Sequence, residues 1–230
     1  MHKRGFMGTS ERAVLGQLVH PGMTVVDVGA NLGLYSLLFA QLVGPGGRVV
    51  SFEPDPDIFP LLRDNCAANG AGQVEVHHLA LGSKPDRLML HRVPLNSGDN
   101  HLSSDGGTLL NRLVEVEVTS LDILMPGLRP HFIKVDVQGW ELNVLRGMEE
   151  TVRAAETASI FIEFWPEGLR RAGASPAELY SFVRHMGLTF YSCDRGEALD
   201  EASFLALAEG MKGHIDLLAS RAPPKLSPPR

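Results

Sequence analysis

Four acids stand where apolar runs end: Asp27 in "TVVDV" (24–28), Glu53 in "VVSFEP" (49–54), Asp136 in "HFIKVDV" (131–137) and Glu163 in "SIFIEF" (159–164). A carboxylate is costly to bury unpaired, so acids in such places bind a ligand, move a proton or sit in a buried ion pair. Asp136 and Glu163 are the carboxylate candidates for proton transfer, and His101, in "GDNHLSS", is the candidate whose imidazole titrates near neutral pH. Each has a plainer reading. Asp136 also suits the cap of a helix starting near Gly139, Glu163 a buried salt bridge, and His101 a solvent-facing loop. Glu141 falls in the first turn of that helix, where an acid is favourable for structural reasons alone. Asp136 and Glu163 on neighbouring strands supply too few oxygens for a hard divalent ion, and Phe164 stands where an Asn or Asp would complete the set, so no metal site is expected. His77 and His78 are expected to pack.

The first of these acids leads into "VVDVGANLGLYS" (25–36). Gly29 allows a tight turn and Gly33 a close approach at the start of a helix, the arrangement by which a strand-turn-helix unit brings its backbone to a ligand. A dinucleotide fingerprint counted from Gly29 needs glycine where Asn31 and Leu34 stand, so a pyrophosphate is disfavoured. The form D-x-G-A-N-x-G instead suits a phosphate-free ligand with a charged amino-acid end, S-adenosylmethionine, with Asp27 ordering the loop or accepting from the ligand ammonium. Glu53, roughly 20 residues further on, is placed to accept both hydroxyls of a ribose. The alternatives are a glycine turn capped by Asn31 and a solvated acid at a strand end.

These residues need a scaffold that brings strand ends together. Helical periodicity over 10–19, 33–43, 56–69, 139–155 and 176–186 alternates with apolar runs at 24–28, 47–54, 74–81, 131–137, 159–164, 188–194 and 214–221. Strands apolar on both faces, separated by helices, predict a mostly parallel α/β sheet covered on both sides. Two-residue alternation at 87–93 and 113–121 predicts a hairpin-like excursion, inserted near 84–120, around a polar loop. No full-length crossover helix is evident between 188–194 and 214–221, so that terminal pair is expected to be antiparallel.

With 230 residues, 44% of them hydrophobic, and a net charge of −6, the chain fits a single domain over 1–222, and its acidic balance argues against a broad phosphate-backbone footprint without excluding a local basic patch. The proline-rich 223–230 tail is expected to be disordered. No apolar run reaches membrane-spanning or signal-peptide length, so a soluble, cytoplasmic protein is expected. Cys66 and Cys193 sit in apolar-periodic segments without ligand spacing and are expected to be reduced. Self-association is left open.

"VVDVGANLGLYS", "SFEPDP", "HLALG", "FIKVDVQGWELNVLRG" and "IFIEFWP" together resemble the FkbM-type S-adenosylmethionine-dependent methyltransferases over about residues 10–195. The resemblance implies the Rossmann-like class I methyltransferase sheet, seven strands with the last antiparallel. It implies S-adenosylmethionine as cofactor, held by Asp27, Gly29, Asn31, Gly33, Glu53, Ala80 and Asp136. It further implies O-methylation of a small-molecule hydroxyl on a sugar, glycolipid or polyketide-type product, with His101, Asp136 and Glu163 as candidate catalytic residues. Gln138 departs from the family, which usually has an acid there. The other readings are a non-catalytic S-adenosylmethionine-binding module, a nucleic-acid methyltransferase, disfavoured by the missing N-P-P-[YF]-like tetrapeptide, and an NAD-dependent oxidoreductase. The 94–107 loop, the N-terminal helix and "WPEGLRRAGAS" are the segments expected to meet the acceptor.

Overall fold

The apolar runs build a parallel core: β1 (Thr24–Val28), β2 (Arg48–Phe52), β3 (Val74–His77), β8 (Phe132–Val135) and β9 (Ser159–Phe164) lie side by side in the order β9-β8-β1-β2-β3. The computed structural model describes residues 9–92, 100–103 and 112–226. Most of the 94–107 loop, the first eight residues and residues 227–230 of the tail lie outside them.

Beyond β9 the sheet continues with β12 (Ile215–Ser220), antiparallel to both β9 and β10 (Thr189–Ser192), and ends on β11 (Ala198–Leu199). The described sheet thus has eight strands where seven are expected, the extra one being the two-residue β11 on the edge. The connection between the terminal strands also carries a helix the sequence reading missed, α9 (Glu201–Gly210). Asp200 caps it by accepting the Ser203 N–H at 2.8 Å, and Phe204 and Ala208, four residues apart, bury its inner face.

Period-two alternation sends each strand's side chains to two different cores. On one face Val26, Val28, Ile133, Val135, Ile160 and Ile162 pack under α5 (Glu141–Arg146), α6 (Glu149–Ala154), α8 (Pro176–His185) and α9. On the other, Val25, Val49, Phe132 and Phe161 pack under α1 (Thr9–Leu18), α2 (Leu34–Val43) and α3 (Phe59–Ala68). The single helix expected over 139–155 is two, broken at Gly147-Met148, where the Gly147 carbonyl accepts the N–H of Asp122 in α4 (Leu121–Leu124) at 3.0 Å.

The run at 74–81 is likewise divided. Val74–His77 joins the large sheet, while β4 (Ala80–Leu81) joins a second sheet, β4-β7-β5-β6, with β5 (Asp86–Arg92), β6 (His101–Ser103) and β7 (Arg112–Thr119). β5 pairs antiparallel with both β6 and β7. Of the tail, Leu226 packs against the α1–α3 core and Pro224 lies beside Gly196, so 223–226 rest on the protein rather than leaving it. His77 stacks on Phe52 and His78 on Phe59, with ring centroids 5.0 and 4.7 Å apart, as the packing reading anticipates. The Cys66 thiol is buried, Cys193 half-buried, and both are free. No helix among the described residues is long and apolar enough to cross a membrane.

Candidate active site

At the carboxyl end of β1 the chain turns through Gly29 with φ +79°, and a Cβ there would stand 1.9 Å from the Asp136 carbonyl oxygen. Only glycine lets the β1 turn press against the end of β8. Asn31 is also left-handed, at φ 49°. Its side chain does not cap α2, because the helix N-cap is Gly33, which itself has φ 89°. The Asn31 N–H instead reaches across to β2 and donates to Glu53 Oε2 at 2.8 Å, while the Asp55 N–H donates to Glu53 Oε1 at 2.9 Å. Glu53 is thereby aimed by two backbone donors, and burial pushes its carboxyl up to about 7.

Asp27 points into the layer between the sheet and its helices. It is fully buried on the α2 side of the sheet, where it accepts from Ser36 Oγ at 2.7 Å, and Ser51 Oγ in turn donates to Ser36. Its other oxygen, Oδ1, has no hydrogen bond and faces Lys134 Nζ at 3.7 Å. Lys134, 1% exposed, also donates to Asp136 Oδ2 at 3.1 Å and lies over the Tyr35 ring at 4.4 Å. Burial alone would lower the lysine pKa, but the Asp136 and Asp27 carboxylates outweigh it and raise it. Lys134 is a site residue the sequence reading passed over. The signal was present: a lysine inside "FIKVDV" has to be buried on one face or the other of a central strand.

Register explains the grouping. Asp27, Ser51, Lys134, Glu163 and Asp216 all occupy the alternation that faces α1 and α2, each on the strand half nearest the Gly29 turn. The same face is apolar at one end and ionic at the other. Tyr35 on α2 donates its hydroxyl to Glu11 Oε1 on α1, closing the row from above. Burial, with Glu11 and Asp136 nearby, pushes Asp216 up to about 7.

Asp136 and Glu163 are brought together, and the connector is Gln138. Its Nε2 donates to Asp136 Oδ1 at 2.9 Å and to Glu163 Oε2 at 2.7 Å. Glu163 Oε1 lies 3.4 Å from His214 Nδ1. Burial, then the Asp136 and Glu141 charges, raises the Glu163 carboxyl well above its ordinary value. Glu141 is fully buried rather than a surface helix acid. Its Oε1 accepts the Gly139 N–H at 2.9 Å and the Val137 N–H at 3.3 Å, and burial pushes it up to about 7.

The other two sequence candidates stand on the second sheet. His101 lies in strand β6, paired with His91 and stacked on it at 5.1 Å, not in the loop the sequence suggested. Ala80 is buried in the small core with Leu90, Leu102, Val116 and Val118, so its side chain is used in packing. That sheet is tied to the site's rim by Asp55, two residues beyond Glu53, which accepts both Arg92 Nε, at 2.9 Å, and Arg92 Nη2. Asn100 Nδ2 adds a third bond to the same carboxylate at 3.0 Å.

A mostly parallel sheet with an antiparallel β12, a glycine turn after β1 and an acid after β2 defines a Rossmann-like class I methyltransferase fold. The Methyltransferase FkbM domain matches residues 27–190, and the chain belongs to that family. Hexuronic acid methyltransferase AglP of Haloferax volcanii is 28% identical over 163 residues, 71% of this chain and 62% of that protein. The 31-O-demethyl-FK506 methyltransferase FkbM of Streptomyces tacrolimicus is 31% identical over 166 residues, 59% of this chain and 63% of that protein. The matched region thus spans less than two thirds of either relative. Among solved structures, precorrin-6y C5,15-methyltransferase from Geobacter metallireducens GS-15 superposes with a TM-score of 0.55 at 13% identity, over 96% of this chain and 93% of that one. A SAM-dependent O-methyltransferase from Thermotoga maritima gives 0.52 at 10% identity, over 96% and 68%. Both likenesses concern the fold.

Proposed function

We propose that this chain transfers the methyl group of S-adenosylmethionine to a hydroxyl oxygen of a small molecule of the sugar, glycolipid or polyketide class. The observation that carries the reading is Glu53, a buried carboxylate aimed by two backbone N–H groups beside the Gly29 turn. Each oxygen spends one acceptor position on the backbone and keeps another, which matches the two hydroxyl donors of a ribose. The fit extends to charge, because burial and the Asp55 and Asp27 carboxylates push this acid up to about 7 and a cationic cofactor would favour its ionised form. When bound, the cofactor supplies a methyl group on a positively charged sulfur that leaves as a neutral sulfide.

The chain's own work is then positioning and proton removal. The acceptor oxygen forms its bond to the methyl carbon as the carbon–sulfur bond breaks, the bonding pair leaving with sulfur, and the hydroxyl proton passes to a protein base. Asp136 and Glu163 stand at the carboxyl ends of adjacent strands for that task, with His101 on the second sheet as the alternative. The relatives favour an oxygen acceptor, since one is named a hexuronic acid methyltransferase and another a 31-O-demethyl-FK506 methyltransferase. The reaction is proposed to need no divalent metal.

The test is calorimetry with S-adenosylhomocysteine followed by a screen with labelled cofactor against neutral polyols, uronic acids and hydroxylated macrolides. Micromolar binding and label in an alkali-stable ether support the reading. Label in a carboxyl ester, or activity abolished by chelation and restored by magnesium, contradicts the O-ether or the metal-free part respectively.

A further inference from the structure

The family resemblance breaks at Gln138, and that is where the structure is most particular. Two described non-glycine residues have left-handed backbone, Asn31 and Gln138, and both follow the strands that flank the site. The Gln138 turn is held from two sides. Behind it, buried Glu141 accepts the N–H groups of Val137 and Gly139. In front, Gly139 has φ +107° and touches α7 (Pro166–Arg171) so closely that a Cβ would lie 2.3 Å from the Gly168 carbonyl carbon. The side chain therefore has a fixed origin, and it ends with one nitrogen between two carboxylates, 2.9 Å from one and 2.7 Å from the other.

An amide nitrogen has two hydrogens, so the bridge uses its whole donor capacity. Each carboxylate gives Gln138 one oxygen and turns the other to a nitrogen base: Asp136 Oδ2 to Lys134 at 3.1 Å, Glu163 Oε1 to His214 at 3.4 Å. The two differ in exposure, Asp136 at 32% of its side chain and Glu163 at 5%. An acid at position 138 would place a third carboxylate against this pair and remove both donors.

We propose that Gln138 is a positioning residue that ties Asp136 and Glu163 into one unit in which Asp136, the more exposed, receives the acceptor's hydroxyl proton while Glu163 backs it. This rests on the methyl-transfer reading for its chemistry, although the bridge itself does not. The charged and titratable groups facing the pair are Lys134 and Asp27 from the sheet, Glu141 from α5, and Asp216 and His214 from β12 and its approach, with Glu11 from α1 beyond Tyr35. Of these, Lys134 is ion-paired with Asp136 at 3.1 Å, whereas Glu141 and Asp216 oppose ionised Glu163. The bridge adds a donor to each carboxylate and holds the Glu163 carboxyl lower than this surrounding would leave it.

Two variants test it. Gln138→Asn keeps an amide on a residue that tolerates left-handed backbone but is one methylene too short to bridge, and Gln138→Glu keeps the length and loses the donors. Carbon-13 carboxyl titration of the full chain without cofactor is the first readout. Loss of the donor should raise the Glu163 titration by about one pH unit in both variants, the shift that one hydrogen bond to a charged group produces. The second readout is the acid limb of kcat/KM on a working acceptor, which should move up in parallel while S-adenosylhomocysteine affinity stays within about twofold. An unmoved Glu163 titration in both variants overturns the bridge. Titrations that move without the kcat/KM limb overturn its part in proton acceptance. Failure of the wild-type chain to bind S-adenosylhomocysteine instead removes the methyl-transfer reading and with it the assignment of Asp136, the carboxyl titration still reporting on the bridge.

Discussion

Replacing Lys134 by methionine isolates the ionic end of the sheet face. Methionine fills a similar volume, so the loss is chiefly of charge. The ammonium lies 3.7 Å from Asp27 Oδ1 and 3.1 Å from Asp136 Oδ2, in a place where Asp27 is wholly buried and that Oδ1 has no hydrogen bond. Asp136, a third exposed, can turn part of its charge to water, but Asp27 cannot. Removing one partner of a buried pair leaves an uncompensated charge, which costs about 3–5 kcal/mol. For a protein of this size that lowers Tm by roughly 10 °C.

The pH dependence identifies the cause. Burial already raises the Asp27 carboxyl, and without Lys134 it rises further. A raised acid binds its proton more tightly folded than unfolded, so the variant's deficit is full above its folded pKa. That deficit shrinks as pH falls toward the unfolded aspartate value of about 3.9. Urea unfolding of Lys134→Met against wild type should give a larger deficit at pH 7.5 than at pH 4.5, and adding Asp27→Asn should recover most of it at pH 7.5. A single variant within about 0.5 kcal/mol of wild type at both pH values, the size of an ordinary surface change, would show that Lys134 does not compensate Asp27.

Glu53, Glu141 and Asp216, each pushed up to about 7 by burial, bind protons more tightly folded than unfolded, so stability without cofactor should fall as pH rises from about 4.5 to 7. A thermal midpoint higher at pH 8 than at pH 5.5 would contradict those burials. Glu53→Gln replaces one acceptor oxygen by a donor facing a backbone N–H, and should weaken S-adenosylhomocysteine about ten- to hundredfold by calorimetry, the worth of hydrogen bonds to a charged group. Among the candidate bases, the residue that takes the proton should lose 10²–10⁴-fold in turnover when neutralised, the usual range for general acid-base catalysis. Comparison of Asp136→Asn, Glu163→Gln and His101→Ala on one acceptor therefore ranks them, with Asp136→Asn expected to lose most.

The alternation of apolar runs with helical spacing was enough to place the parallel strands, because a strand buried on both faces has no polar residue to spare, and an acid at its end then stands out. Asp27, Glu53, Asp136 and Glu163 were legible for that reason, as was the glycine turn between strand and helix. Sequence spacing did not reveal which face each acid takes or what it meets there. Asp27 reads as ordering the loop or accepting from a ligand ammonium, and strand register sets it opposite Lys134 and under Ser36. His101 reads as a loop residue until pairing with β5 makes it a strand residue on another sheet. Gln138 reads as a defect in a motif, since its partners are two and 25 residues away and meet only where β8 and β9 end together. Local pattern records whether a residue is buried and in what kind of element. Register between strands far apart in the chain decides which buried charges become neighbours, and in this protein that decision turns a row of separate acids into one linked site.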